Sequence, residues 1–151
     1  MKNTIIFDLD GTLALIDNRL KLSSKTDGKI DWDIFFDPEN IKLDIPNEPA
    51  VKIAQLLNAD GYKIVIFSGR SDKTFDATHC WLKEHKILYH KLVMRDSINS
   101  PYVSDDILKK QMLKKHLDIN DVFLVFDDRI KVVEMWRSLG LTVFQVNDGD
   151  F

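Results

Sequence analysis

Cys80 is the one cysteine in 151 residues, so the chain can form no internal disulfide and no cysteine-built zinc site. That usage fits a reducing compartment, and a cytoplasmic location is expected. No stretch approaches the roughly 18 apolar residues of a membrane span. Met1-Lys2-Asn3 runs into a strand-like segment with no apolar signal segment, so no membrane attachment is expected either. A chain-wide basic field is also lacking. The formal charge is −3 and the pI about 5.8, which argues against tight binding to long nucleic acid but leaves room for a local basic groove. Repeats, low-complexity tracts, interdomain linkers and a Walker A phosphate loop are all missing. The four histidines, at 79, 85, 90 and 116, show no metal-ligand spacing. What the chain does have is 44% hydrophobic residues, enough to bury one proper core and to make residues 1–151 a single domain.

Thr4-Ile5-Ile6-Phe7 is a short apolar run, suited to a strand buried on both faces of a parallel sheet, and it ends abruptly in Asp8 and Asp10. With a side-chain period of two, the acids begin on one face, and Gly11 lets the chain leave the sheet by a conformation other residues resist. From Ala14 to Ile45 the pattern is irregular. Lys21 to Lys29 is polar and predicts a surface loop, and Asp31 to Phe36 predicts a short helix capped by Asp31 and stopped by Pro38. Trp32, Phe35 and Phe36 either glue this flap onto the domain, the weightier reading, or offer a ring on which a nucleobase stacks.

Beyond the flap the pattern alternates. A helix over 47–60 has Ala50, Ile53, Ala54 and Leu57 on its apolar face, and Tyr62 to Phe67 reads as a strand ending in Ser68-Gly69-Arg70. A helix from Ser71 or Asp72 to about Lys86 places Phe75, His79 and Leu82 on one side. Then come a strand at Lys91–Met94, a helix over about 104–117, the apolar strand Val122–Phe126 ending in Asp127-Asp128-Arg129, a helix to Leu139 and a strand at Thr142–Val146. Strands separated by helices imply an α/β, Rossmann-like parallel sheet, which binds ligands at the strands' carboxyl ends. Trp81 and Trp136 read as core packing.

Three strand ends thus gather Asp8, Asp10, Ser68, Arg70, Asp127 and Asp128, and a helix offers Lys109. Asp105, four residues earlier on that helix, can orient the Lys109 ammonium, although the spacing taken alone favours a plain surface ion pair on a solvated helix. Carboxylate oxygens without clustered His or Cys suit Mg2+. A phosphate beside a carboxylate, a hydroxyl, an arginine and a lysine is set up for phosphoryl transfer. Asp8 would be the nucleophile forming an aspartyl-phosphate, and Asp10 the general acid and base.

The first motif, Asp8-Leu9-Asp10-Gly11-Thr12, followed by Ser68, Lys109 and Asp127-Asp128, resembles the four ordered motifs of the haloacid dehalogenase (HAD) superfamily of phosphatases. The resemblance implies a magnesium ion held by the first and fourth motifs, with the Asp10 main-chain carbonyl among its contacts, and substrate choice by a cap insertion. Residues 15–45 provide at most a small one.

A narrower set of residues adds Leu13-Ala14, Arg19, Gly69-Arg70, Val93-Met94-Arg95, Asp105-Asp106-Ile107-Leu108, Arg129 with Val132 to Arg137, and the ending Gln145-Val146 and Gly149-Asp150-Phe151. It resembles the phosphatase half of phage-type polynucleotide kinase-phosphatases, which removes 3′-phosphates from nucleic-acid ends and from 3′-mononucleotides. This implies that Arg19, Ser68, Arg70 and Lys109 contact phosphate or substrate, that Asp105 and Thr12 support the site, and that Asp127-Asp128 is the metal end. Lys110 replaces Lys109 if the helix phase is off by one, and the directly ligating member of Asp127 and Asp128 stays open. The 151 residues hold no counterpart of a kinase half, and Ser97 to Val103 has no obvious match.

A magnesium-dependent 3′-phosphatase is therefore expected, with a separate kinase or ligase as a companion in end repair. A 5′-(deoxy)nucleotidase of the same fold is the alternative within enzymes. A non-catalytic phosphate-binding module is disfavoured because every expected polar residue is present. A receiver domain is disfavoured because Ser68, not an aspartate, follows Phe67.

Overall fold

The computed structural model describes residues 1–149; Asp150 and Phe151, part of the chain ending compared above, lie outside the described residues. All four residues of β1 (Thr4–Phe7) are buried, as an apolar run enclosed on both faces requires. The chain then turns at Gly11, where φ is +89° and where a Cβ would collide with the Asp128 carboxylate, so glycine is needed on two counts.

The excursion that follows is more regular than its composition predicts. A two-residue strand, β2 (Ala14–Leu15), leads into α1 (Asp17–Ser23), which occupies the start of the stretch expected to be loop. Only Arg19 and Ser23 of α1 are buried, so it carries no apolar stripe for periodicity to reveal. The one-turn helix α2 (Trp32–Phe35) is capped as expected, the Asp31 carboxylate accepting from the N–H groups of Asp33 and Ile34. Pro38 does not merely stop α2. It opens a 3-10 helix over Pro38–Leu43, in a first-turn position where its missing N–H costs nothing. β3 (Ile45–Pro46) then pairs antiparallel with β2 and closes the excursion as a small flap.

From there α3 (Glu48–Ala59), β4 (Lys63–Ser71), α4 (Phe75–Glu84), β5 (Lys91–Arg95), α5 (Asp105–His116), β6 (Val122–Arg129), α6 (Ile130–Ser138) and β7 (Val143–Gly149) alternate. The five long strands form a parallel sheet in the order β5-β4-β1-β6-β7. Ile5, Phe7, Ile64 and Ile66 pack beneath α3 and α4 on one face; Ile6, Val65, Phe67 and Val125 pack against α5 and α6 on the other. Two helix faces differ from expectation. In α3 Val51 turns inward while Ile53 is exposed. In α4 the inward residues are Thr78, Trp81 and Leu82, with Phe75 and His79 outside, because a 3-10 turn over Asp72–Thr74 resets the phase before the helix begins.

The strand order reverses at β1. To one side lie β4 and β5, to the other β6 and β7, so the loops leaving β1 and β6 diverge and open the crevice where such sheets bind ligands. Asp8 and the Asp127-Asp128 pair meet there, the Asp8 N–H donating to the Phe126 carbonyl at 2.9 Å. Among the described residues no helix is long and apolar enough to cross a membrane.

Candidate active site

Two buried polar clusters share the carboxyl end of the sheet. In the first, the Lys109 ammonium lies 2.6 Å from Asp8 Oδ1 and 2.9 Å from Asp127 Oδ2. Leu108, Met112 and Leu113 turn the same face of α5 inward, and Lys110 points out, so the helix phase selects Lys109. Asp127 is engaged on both oxygens: Oδ2 also accepts from Trp136 Nε1 at 3.2 Å, and Oδ1 accepts from the Asp128 N–H at 3.0 Å. Asp128 is held more loosely, with Thr12 Oγ1 donating at 3.4 Å.

One oxygen from each of Asp8, Asp127 and Asp128 lies within 4.8 Å of the others. Three buried carboxylates thus face a single ammonium. Burial pushes the Asp8 carboxyl well above its usual range; Lys109 pulls it back in part, and the charges of Asp127 and Asp128 push it up again. Asp128 is raised too, chiefly by burial. Burial works against the Lys109 charge, but Asp127 and Asp8 outweigh it and keep the group an ammonium. Hard oxygen donors with surplus negative charge fit a magnesium ion, and neither His nor Cys joins the group.

The Asp10 carboxylate does not belong to that group. Its Oδ1 accepts from Arg19 Nη2 at 3.0 Å and from Arg70 Nε at 2.8 Å and Nη2 at 2.5 Å. Behind the two guanidiniums stands Asp44, which accepts from Arg19 Nε at 2.9 Å and from Arg70 Nη2 at 2.6 Å. The remaining Arg19 and Arg70 amino groups donate to the Phe35 carbonyl and to Thr78 Oγ1. Two cations and two anions make a neutral quartet. Burial alone would raise the Asp10 carboxyl, yet Arg70 and Arg19 overcome it and hold the group below its usual range. At Asp44 burial wins over the same two arginines and the carboxyl is raised.

Arg19 and Arg70, expected as phosphate or substrate contacts, are 0% and 1% exposed, and their guanidiniums are committed to Asp10 and Asp44. Ser68 is buried beside them, its Oγ accepting from the Arg70 N–H. Asp105 requires a correction: it does not orient Lys109. Its oxygens take Arg95 Nη2 and Arg129 Nη1, both at 2.6 Å, because Lys109 is drawn inward to Asp8 and Asp127 while Asp105 faces the ends of β5 and β6. Gly69 leaves room for it, since a Cβ there would come within 2.9 Å of Asp105 Oδ1.

The sequence reading missed Asp44 altogether. It also took Trp81 and Trp136 as packing alone, whereas Trp81 Nε1 donates to the Asp44 carbonyl and Trp136 Nε1 to Asp127. The available signal was that a buried indole N–H needs an acceptor.

Residues 2–151 match the model of one protein family, the polynucleotide kinase PNKP phosphatase domain. The chain belongs to that family. It is 34% identical over 150 residues to a protein of Autographa californica nuclear polyhedrosis virus, described as a candidate bifunctional polynucleotide kinase/RNA ligase; 94% of this chain but 19% of that protein is covered. A chain in a structure of a Pnkp1/Rnl/Hen1 complex superposes with a TM-score of 0.79 at 32% identity, over 99% of this chain and 47% of that one. The chain thus spans about a fifth of the viral relative and under half of the structural one. A haloacid dehalogenase-like hydrolase of Streptococcus pneumoniae, 13% identical, shares the fold with a TM-score of 0.70 over 95% of this chain and 83% of its own. As a PNKP phosphatase domain on the HAD fold, the chain is a phosphatase, and the crevice between β1 and β6 is its candidate active site.

Proposed function

We propose that this single domain, residues 1–151, is a magnesium-dependent phosphomonoesterase that removes 3′-phosphates from polynucleotide ends or nucleotides through an aspartyl-phosphate. The observation that carries the reading is the separation of two aspartates two residues apart: Asp8 sits with Lys109 in the acidic cluster, and Asp10 sits apart on two arginines.

Asp8 attacks phosphorus, a P–O bond forms to its carboxylate, and the bond to the leaving 3′-oxygen breaks. Lys109 stays protonated and would face the oxygens on which charge develops, and Ser68 would add a hydroxyl contact to the phosphate. Asp10, once released from its arginines and protonated, gives its proton to the leaving oxygen; it then takes one from the water that hydrolyses the aspartyl-phosphate, which leaves it protonated for the next turnover. Asp8, Asp128 and the Asp10 main chain would hold magnesium; Asp127, both of its oxygens already engaged, would orient Lys109 instead of ligating directly. When bound, the ion supplies positive charge against the phosphate and the carboxylates.

The family match supports the 3′-phosphate substrate, and the names of the relatives, kinase/RNA ligase and Pnkp1/Rnl/Hen1, support a companion kinase or ligase in the same repair pathway; the lone cysteine fits the cytoplasm. Acid-quenched reactions with an oligonucleotide radiolabelled in its 3′-phosphate are expected to leave label on the protein, and Asp8→Asn to abolish both label and turnover. Turnover without labelled protein, or retained by Asp8→Asn, would eliminate the covalent route.

A further inference from the structure

Of the three tryptophans, Trp81 and Trp136 are 3% and 0% exposed and each N–H has an acceptor. Trp32 is 59% exposed, and its indole N–H meets no acceptor among the described residues. A Trp held in the open is the unusual observation, since the side chain is mostly buried in folded proteins. It is nonetheless firmly placed. Asp31 caps the turn that bears it, its ring stands edge-on to Phe35 at 5.5 Å, and Phe36 stacks against it at 5.8 Å.

Phe35 links this ring to the chemistry. It is buried, lies 4.3 Å beneath the Arg19 guanidinium and accepts from Arg19 Nη1 through its carbonyl, while Arg19 Nη2 holds Asp10. One phenyl ring and one guanidinium therefore separate the exposed indole from the candidate acid/base. Glue alone would explain Phe35, which is buried, but not an indole left open beside it.

We propose that Trp32 is the stacking platform for the nucleobase of the 3′-terminal nucleotide, the base that follows when the 3′-phosphate lies on Asp8. The inference rests on the 3′-phosphatase reading and deepens it. A π-face has no preference among bases, so the platform selects a nucleoside over a bare sugar without selecting its letter.

The test compares thymidine 3′-monophosphate with its base-free counterpart, 1,2-dideoxyribose 3-phosphate. Trp32→Ala should lower kcat/KM for the nucleotide about tenfold and leave the base-free compound unaffected, and Trp32→Tyr should restore most of the loss. Because the other two tryptophans are buried, acrylamide quenching reports on Trp32 without turnover: thymidine 3′-monophosphate should protect it and the base-free compound should not. Equal losses on both substrates, or no loss on either together with no protection, would make Trp32 part of the flap's packing and overturn the platform. Failure of the parent protein to hydrolyse any 3′-phosphate would instead remove the 3′-phosphatase reading, and the platform with it.

Discussion

Asp10 and Asp44 are held by the same two nitrogens. Nη2 of Arg19 lies 3.0 Å from a carboxylate oxygen of each, and Nη2 of Arg70 lies 2.5 Å from Asp10 and 2.6 Å from Asp44. If Asp10 turns to the substrate, as proposed, Asp44 would remain as the counter-charge for two guanidiniums that are almost wholly buried.

Replacing Asp44 by Asn is therefore expected to destabilise the fold by about 3 kcal/mol, the lower end for breaking a buried ion pair, as read by urea unfolding. Under conditions where the variant is folded, kcat should fall with KM little changed, because the loss reaches the substrate only through Asp10. A raised KM with kcat intact would place the arginines on the substrate directly.

Lys109→Ala should cost about 100- to 1000-fold in kcat, the scale of one preorganised donor lost from a phosphate-stabilising site. Lys110 faces solvent, and its alanine variant should stay within about twofold. Steady-state kinetics on the two proteins decide it, and the reverse order would show that the inward face of α5 is misassigned.

Magnesium and pH should act together on stability. Asp8 and Asp128 have raised carboxyls in the folded state, so their contribution is full below the usual value of 3.8 and is lost as pH rises through the folded values. Asp10, lowered, works in the opposite sense: its contribution is present above 3.8 and lost as pH falls through the folded value. Magnesium binds the deprotonated carboxylates, so the gain in Tm on adding it should grow as pH is raised through the window above 3.8. Thermal scans with and without magnesium at several pH values check this. A gain independent of pH would mean that the ion binds elsewhere.

Much of this could be read from the chain because its chemistry sits where local pattern is strongest. Asp8, Ser68 and Asp127 each directly follow an apolar run, at or near the carboxyl end of β1, β4 and β6, and the alternation of elements brings such ends together. The inward turn of Lys109 depends on the phase of α5, which sequence leaves open by one residue, and its spacing from Asp105 suggests a pair that tertiary attraction from Asp8 and Asp127 overrides. Asp44 was invisible for a different reason. It follows an irregular, polar stretch, and what makes it important is closure onto Arg19 and Arg70, which are 25 and 26 residues away. The flap's α1 was equally hidden, since a helix whose buried residues are Arg19 and Ser23 writes no hydrophobic period.

The most direct measurement is phosphate release in the presence of magnesium from three matched substrates: a 3′-phosphorylated oligonucleotide, a 3′-mononucleotide and a 5′-mononucleotide. Comparison of kcat/KM reports discrimination between them. Both 3′-phosphates are expected to be preferred, with activity lost on chelation and restored by magnesium. A preference for the 5′-nucleotide, or undiminished hydrolysis in a metal-free preparation, would contradict it.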